Sequence, residues 1–235
     1  MSFLPNLFFS YHVAKSDLPH SFDEVSAVIR LAHKYNIGSI QDQALRALQE
    51  YHFTSDFAIV LGAPNCQISA DPIHAIGAVN LARLTDTPLM LPLALYRCCY
   101  LDHSTLLHGW KRADGNIEYL APMDRKCCSH ARTKLILLHG LLLIRLLQQT
   151  PGSGSGSPDF RGYLPHPTER AVSMDVIWGW AKLLEELAKA HKLCDTCMTE
   201  LLRRGRVGCK QIWDELPEIF GITVDGWTQP QASTG

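Results

Sequence analysis

The sequence predicts a mostly α fold: a helical bundle with a helical hairpin at its N-terminal end and one short β-hairpin. Three observations carry that expectation. Phe22 to Leu48 hold two short amphipathic patterns joined at Asn36-Ile37-Gly38. Apolar residues then recur at helical spacing through most of the chain. The strand-like signal is an Asp114-Gly115 turn between Trp110-Lys111-Arg112 and Ile117-Glu118-Tyr119-Leu120.

Taken in order, Ser21 and Glu24 form a capping box, in which the hydroxyl accepts a first-turn amide and the carboxylate reaches back to the cap. Val25, Val28, Ile29, Ala32 and Tyr35 share the stripe of the helix that follows. Gly38 is expected to supply the left-handed residue after it, and Ser39 with Asp42 to cap a second helix carrying Ile40, Ala44, Ala47, Leu48 and Tyr51. A short helix fits 54–63. Asp71-Pro72 reads as the start of another, burying Ile73, Ile76, Leu81 and Leu84. Thr87-Pro88 opens a helix with Leu91, Leu95, Cys98 and Cys99, and Pro122 begins a long one through about residue 149. Thr150 to Pro158 has the Gly/Ser composition of a flexible linker. Helical pattern resumes near Ser173, and a last helix fits Cys209 to Leu216. Four parts result: 1–53, the hairpin; 54–149, a helical middle region with the β-hairpin near 107–120; 150–167, a linker; and 168–235, a C-terminal helical region packing back on the middle.

With 46% hydrophobic residues and a net charge of −1, the chain can bury a sizeable core. The near-neutral balance argues against a dedicated nucleic-acid binder. Leu135 to Leu147 is the greasiest run, but it is shorter than the roughly 20 apolar residues of a bilayer span and contains His139 and Arg145. A buried helix is expected there, with no membrane partner. No export signal opens the chain, so the eight cysteines belong in a reducing, intracellular setting, cytoplasmic or nuclear.

The run from Val28 to Ile37, followed by Gln43 to Leu48, resembles the closing helices of a BTB/POZ domain. More narrowly it resembles the BTB-domain proteins of mushroom-forming fungi, with support from Leu193-Cys194-Asp195-Thr196-Cys197, Trp213, Leu216-Pro217, Phe220-Gly221-Ile222 and Trp227. Met1 to His20 is too short to supply the strands and helices that open such a domain. The resemblance therefore implies a partial BTB-like element lacking most of the N-terminal core. Protein binding without turnover is the function it implies. The absent strands would leave the hairpin's apolar face uncovered, making Val25, Val28, Ile29, Tyr35, Ile40 and Leu48 the partner-binding set, for a protein partner or a second copy.

Cys194-x-x-Cys197 is the strongest chemical motif, since two thiolates at that spacing can hold one zinc. Cys209, His191, Cys127, Cys128 and His130 are the residues that could complete it. A zinc-stabilised structural domain is thus the alternative to a cofactor-free module. The doublets Cys98-Cys99 and Cys127-Cys128 fit core thiols, because helix neighbours diverge. None of the eleven histidines lies in H-E-x-x-H, and no G-x-S-x-G or phosphate-loop pattern occurs, so an enzyme is the remote alternative. Arg203-Arg204-Gly205-Arg206 fits cations at a helix end stopped by glycine. Trp178, Trp180, Trp213 and Trp227 fit core anchors, with Trp213 to Phe220 as a terminal clamp.

Overall fold

The structure is a computed structural model that describes residues 20–62, 68–148, 175–191 and 195–227. The linker expected at 150–167 lies outside them. The helices are α1 (Phe22–Lys34), α2 (Gly38–Tyr51), α3 (Phe57–Leu61), α4 (His74–Leu84), α5 (Leu91–Cys98), α6 (His103–His108), α7 (Pro122–Gln148), α8 (Gly179–His191), α9 (Asp195–Asp214) and α10 (Leu216–Phe220). A 3-10 turn covers Pro88–Met90, and two short strand pairs form: β1 (His20–Ser21) runs parallel to β2 (Ile68–Ser69), and β3 (Trp110–Lys111) antiparallel to β4 (Ile117–Glu118). The mostly helical expectation holds. Contacts group the chain into two units, 1–128 with 222–235, and 129–221.

In the first unit the Ser21–Glu24 capping box forms as expected, with both bonds present. The connection does not follow expectation. Asn36 takes the left-handed conformation, at φ 55°, and Gly38 begins α2, whose N-cap Ile37 offers no side-chain oxygen. Asparagine tolerates that conformation because its short polar side chain can bond locally. Helix α1 packs against α2 and on α4, which is buried on nearly every side. Ala75, Gly77, Ala78 and Ala82 thin that helix so that neighbours approach closely. A Cβ at Gly77 would lie 2.4 Å from the Trp110 ring and 2.8 Å from Phe22. His74 stacks on Phe22 with ring centres 4.8 Å apart, and Trp110 meets both edge-on. Leu84 is exposed rather than buried, because the buried arc ends at Ala82. The β-hairpin turns where Asp114-Gly115 predicts, with Gly115 at φ 85° and Arg112 N–H donating to Asn116 O.

In the second unit α9 runs unbroken from Asp195 to Asp214, which overturns both the helix stop at Gly205 and the late start at Cys209. Gly205 is an inward notch. A Cβ there would lie 2.0 Å from Trp180, and one at Gly208 2.3 Å from Leu142 of α7. A large ring filling a glycine notch outweighs glycine's helix cost of about 1 kcal/mol. Trp180 donates Nε1–H to Ile177 O, so its one polar atom is satisfied. Trp213, Leu216 and Phe220 are buried across the α9–α10 break, where Pro217 sits in the first turn of α10. Trp180 and Trp213 of this unit and Trp227 of the first are core residues, while Trp178 is half-buried.

Candidate functional site

The partner-binding set is divided by the fold. Val25, Ile29, Ile40 and Leu48 are buried, Val28 is half-buried and Tyr35 is exposed. The apolar face of α1 is covered rather than open, because α4 packs against it. Four such side chains contribute about 1.5–3 kcal/mol each to the core when buried. They are not available to a partner in this conformation.

Cys194 lies outside the described residues, and Cys197 is described only as a position on α9. Among the described residues no group of three or more His, Cys, Asp or Glu is arranged to hold a metal ion. Cys209 donates its thiol to Val176 O at 3.2 Å, and burial pushes its pKa up to about 12, so it is a packed thiol rather than a ready ligand. Cys98, Cys99 and Cys128 meet in the core of the first unit. Cys99 Sγ donates to Cys128 O at 3.5 Å, and Cys128 Sγ to Leu95 O at 3.8 Å. Hydrogen bonding with Cys128, then burial, raises the Cys98 pKa, while bonds from Cys98 and Cys99 lower that of Cys128.

His74 and Asp23 make an acid–base pair, with Nε2 3.8 Å from Oδ2. The ring's other nitrogen, Nδ1, accepts the Asp71 amide at 2.8 Å, leaving no lone pair for a substrate proton. His52 donates Nε2–H to the Ile68 carbonyl, which joins α2 to the β1–β2 pair. Burial lowers the pKa of both rings.

An open cleft of about 560 Å³ in the same unit is lined by Arg30, Asn80, Arg83, Arg112, Glu118 and Asp124, among others. Glu118 accepts from Arg30 Nη2 at 2.6 and 2.7 Å, from Asn80 Nδ2 at 2.9 Å and from Arg112 Nη1 at 3.2 Å. Arg112 also pairs with Asp114, and Arg83 with Asp124 at 2.7 Å. The three guanidinium groups face three carboxylates, so the network balances its own charge. Its geometry ties α1, α4, the β-hairpin and the start of α7 together. The carboxylates act as anchors, since Glu118 accepts from three different side chains.

The second unit offers a different feature. Ala131, Leu135, His139, Leu142 and Leu146 of α7 are buried at three- and four-residue spacing. Ile136, Leu137 and Leu141 lie outside that stripe with relative exposures of 51%, 62% and 41%. Ile144 is half-buried, and a Cβ at Gly140 would touch nothing within 4 Å. At 100° per residue, Leu137, Gly140, Leu141 and Ile144 fall on one outward arc. This apolar outer face is the candidate site. The sequence already held the signal, because apolar residues follow one another from Leu135 to Leu138 and from Leu141 to Ile144, more than one buried stripe can use. The Pro122–Leu146 stretch is also long and apolar enough for a membrane crossing, although about a third of its most apolar part is buried in protein.

Of the basic run on α9, Arg203 and Arg204 both pair with Glu200, which they hold at a pKa of about 2. Lys210 pairs with Asp214. Comparison of the chain with protein-family models, with curated proteins and with solved structures finds no match.

Proposed function

We propose that this chain is a non-enzymatic interaction module that binds another protein through the outer face of α7. The observation carrying the proposal is the exposed apolar row Leu137–Leu141, on a helix whose opposite side is already buried. Soluble domains seldom leave such a row on a well-packed helix unless something covers it. The likeness of Val28 to Leu48 to the closing helices of BTB/POZ proteins lends support of a second kind, since those proteins act by binding. An intracellular setting suits the free thiols Cys98, Cys99, Cys127, Cys128 and Cys209.

The test is photo-cross-linking of the full chain in its own cells, with the reactive group replacing Leu137 and a control at exposed Lys111. Adducts from position 137 that map to one segment of one protein, and that disappear with Leu141→Lys, are the expected result. Adducts to lipid, or the same adducts from both positions, would refute the proposal.

A further inference from the structure

We infer that the occupant of the α7 outer face is an acidic amphipathic helix of another protein; the inference rests on the reading just given and adds the partner's chemistry. Its basis is charge. From Arg125 to Gln148 the helix carries Arg125, Lys126, Arg132, Lys134 and Arg145, and no Asp or Glu. Lys134 and Arg145 are exposed and fall beside Leu141 on the helical wheel, while Arg132 is exposed on the far side.

The shape of the row selects a helix. Leu137, Leu141 and Ile144 are spaced by four and then three residues, the interval of a coiled-coil seam one side chain wide. Gly140 opens the backbone beside the seam to close approach. Carboxylates flanking the partner's own seam would then meet Lys134 and Arg145, as they do at the edges of paired helices.

The same features disfavour the other occupants. A second copy would set Lys134 and Arg145 against the same Arg125-to-Gln148 stretch, which holds no acid, and like charges across a seam repel. A lipid surface favours a broad apolar face with Trp or Phe, whereas this seam is narrow and α7 has no Phe, Trp or Tyr.

The experiment uses the full chain and three probes. One is a synthetic helical peptide of three heptads with leucine seam positions and glutamate flanks. The second is its counterpart with lysine flanks. The third is phosphatidylcholine vesicles containing phosphatidylserine. Calorimetry should show binding of the glutamate peptide, no binding of the lysine peptide or the vesicles, and an affinity loss of about fivefold or more when salt rises from low to physiological strength. The surface double variant Lys134→Glu with Arg145→Glu, its fold checked by circular dichroism, should reverse the preference between peptides. Equal binding of both peptides, or binding of vesicles alone, would overturn the inference. A failure of every probe would overturn it too, yet position-137 cross-links to a protein segment would still uphold recognition through α7. Sedimentation should show a monomer across the micromolar range; a dimer abolished by Leu137→Asp would replace the acidic partner with a second copy.

Discussion

The two units share a packing device and differ in what they leave at the surface. The first pairs arginines with carboxylates along an open cleft and stacks Phe22, His74 and Trp110 into an aromatic cluster. Both units set glycine notches against large side chains, Gly77 in the first and Gly205 and Gly208 in the second, but the second also keeps a surplus of apolar side chains on α7. Buried polar networks have few alternative arrangements, whereas apolar packing tolerates many partners of suitable shape. The first unit is accordingly the one whose internal pairing is fixed. The second is the one with surface left to offer.

The sharpest test of this contrast is to fill the notches. Gly205→Leu should destabilise the second unit by about 3 kcal/mol or more, since the side chain has no space beside Trp180. Hydrogen exchange should then accelerate across 179–220. Gly77→Ala should cost the first unit about 2 kcal/mol by pressing on Trp110 and Phe22. If the exchange rates of both units rose equally in both variants, the two cores would not be separable.

Next in size is the network. Glu118→Leu removes the carboxylate partner of Arg30 and the side-chain acceptor of Asn80, while Arg112 keeps Asp114, and should cost about 2–3 kcal/mol, read as a lower urea midpoint for the first unit. A loss under about 0.5 kcal/mol would mean the pairs are solvent-screened decoration.

Acid should act in the same direction. Because burial depresses the pKa of His52 and His74 below the ordinary 6.5, the unfolded chain binds more protons once pH falls under that value. Their contribution is complete above about pH 6.5 and declines as pH drops toward the lowered folded-state values. Urea midpoints taken on either side of that window should differ, and His52→Gln with His74→Gln should flatten the dependence.

Two small effects close the series. Ser21→Ala should remove about 1 kcal/mol with the capping box. Gly140→Ala, in open space on α7, should add about 0.5–1 kcal/mol of stability and give a higher melting temperature.

Local chemistry was the legible part of the sequence. The Ser21–Glu24 cap, the turn at Asp114-Gly115 and the start of α7 at Pro122 each depend on neighbours within a few residues. What escaped depends on residues far apart in the chain. Gly205 reads as a stop until Trp180 is seen beside it, and Glu118 reads as a strand residue until Arg30 reaches it across 88 positions. The apolar face of α1 called for a cover, but its amphipathic pattern could not say that α4 supplies it. The β1–β2 pair, two residues long on each side, is too short to leave a periodic trace. The candidate face on α7 was half-visible: its greasiness was plain, and only the fold divides inner from outer.

Trp180 has a further use because of where Gly205 places it. Its indole is shielded from water and its Nε1–H is held by the Ile177 carbonyl, so it should emit at short wavelength with little quenching. With the remaining indoles exchanged for phenyl rings, that single fluorophore would become a built-in gauge of α8–α9 packing, readable without an added dye.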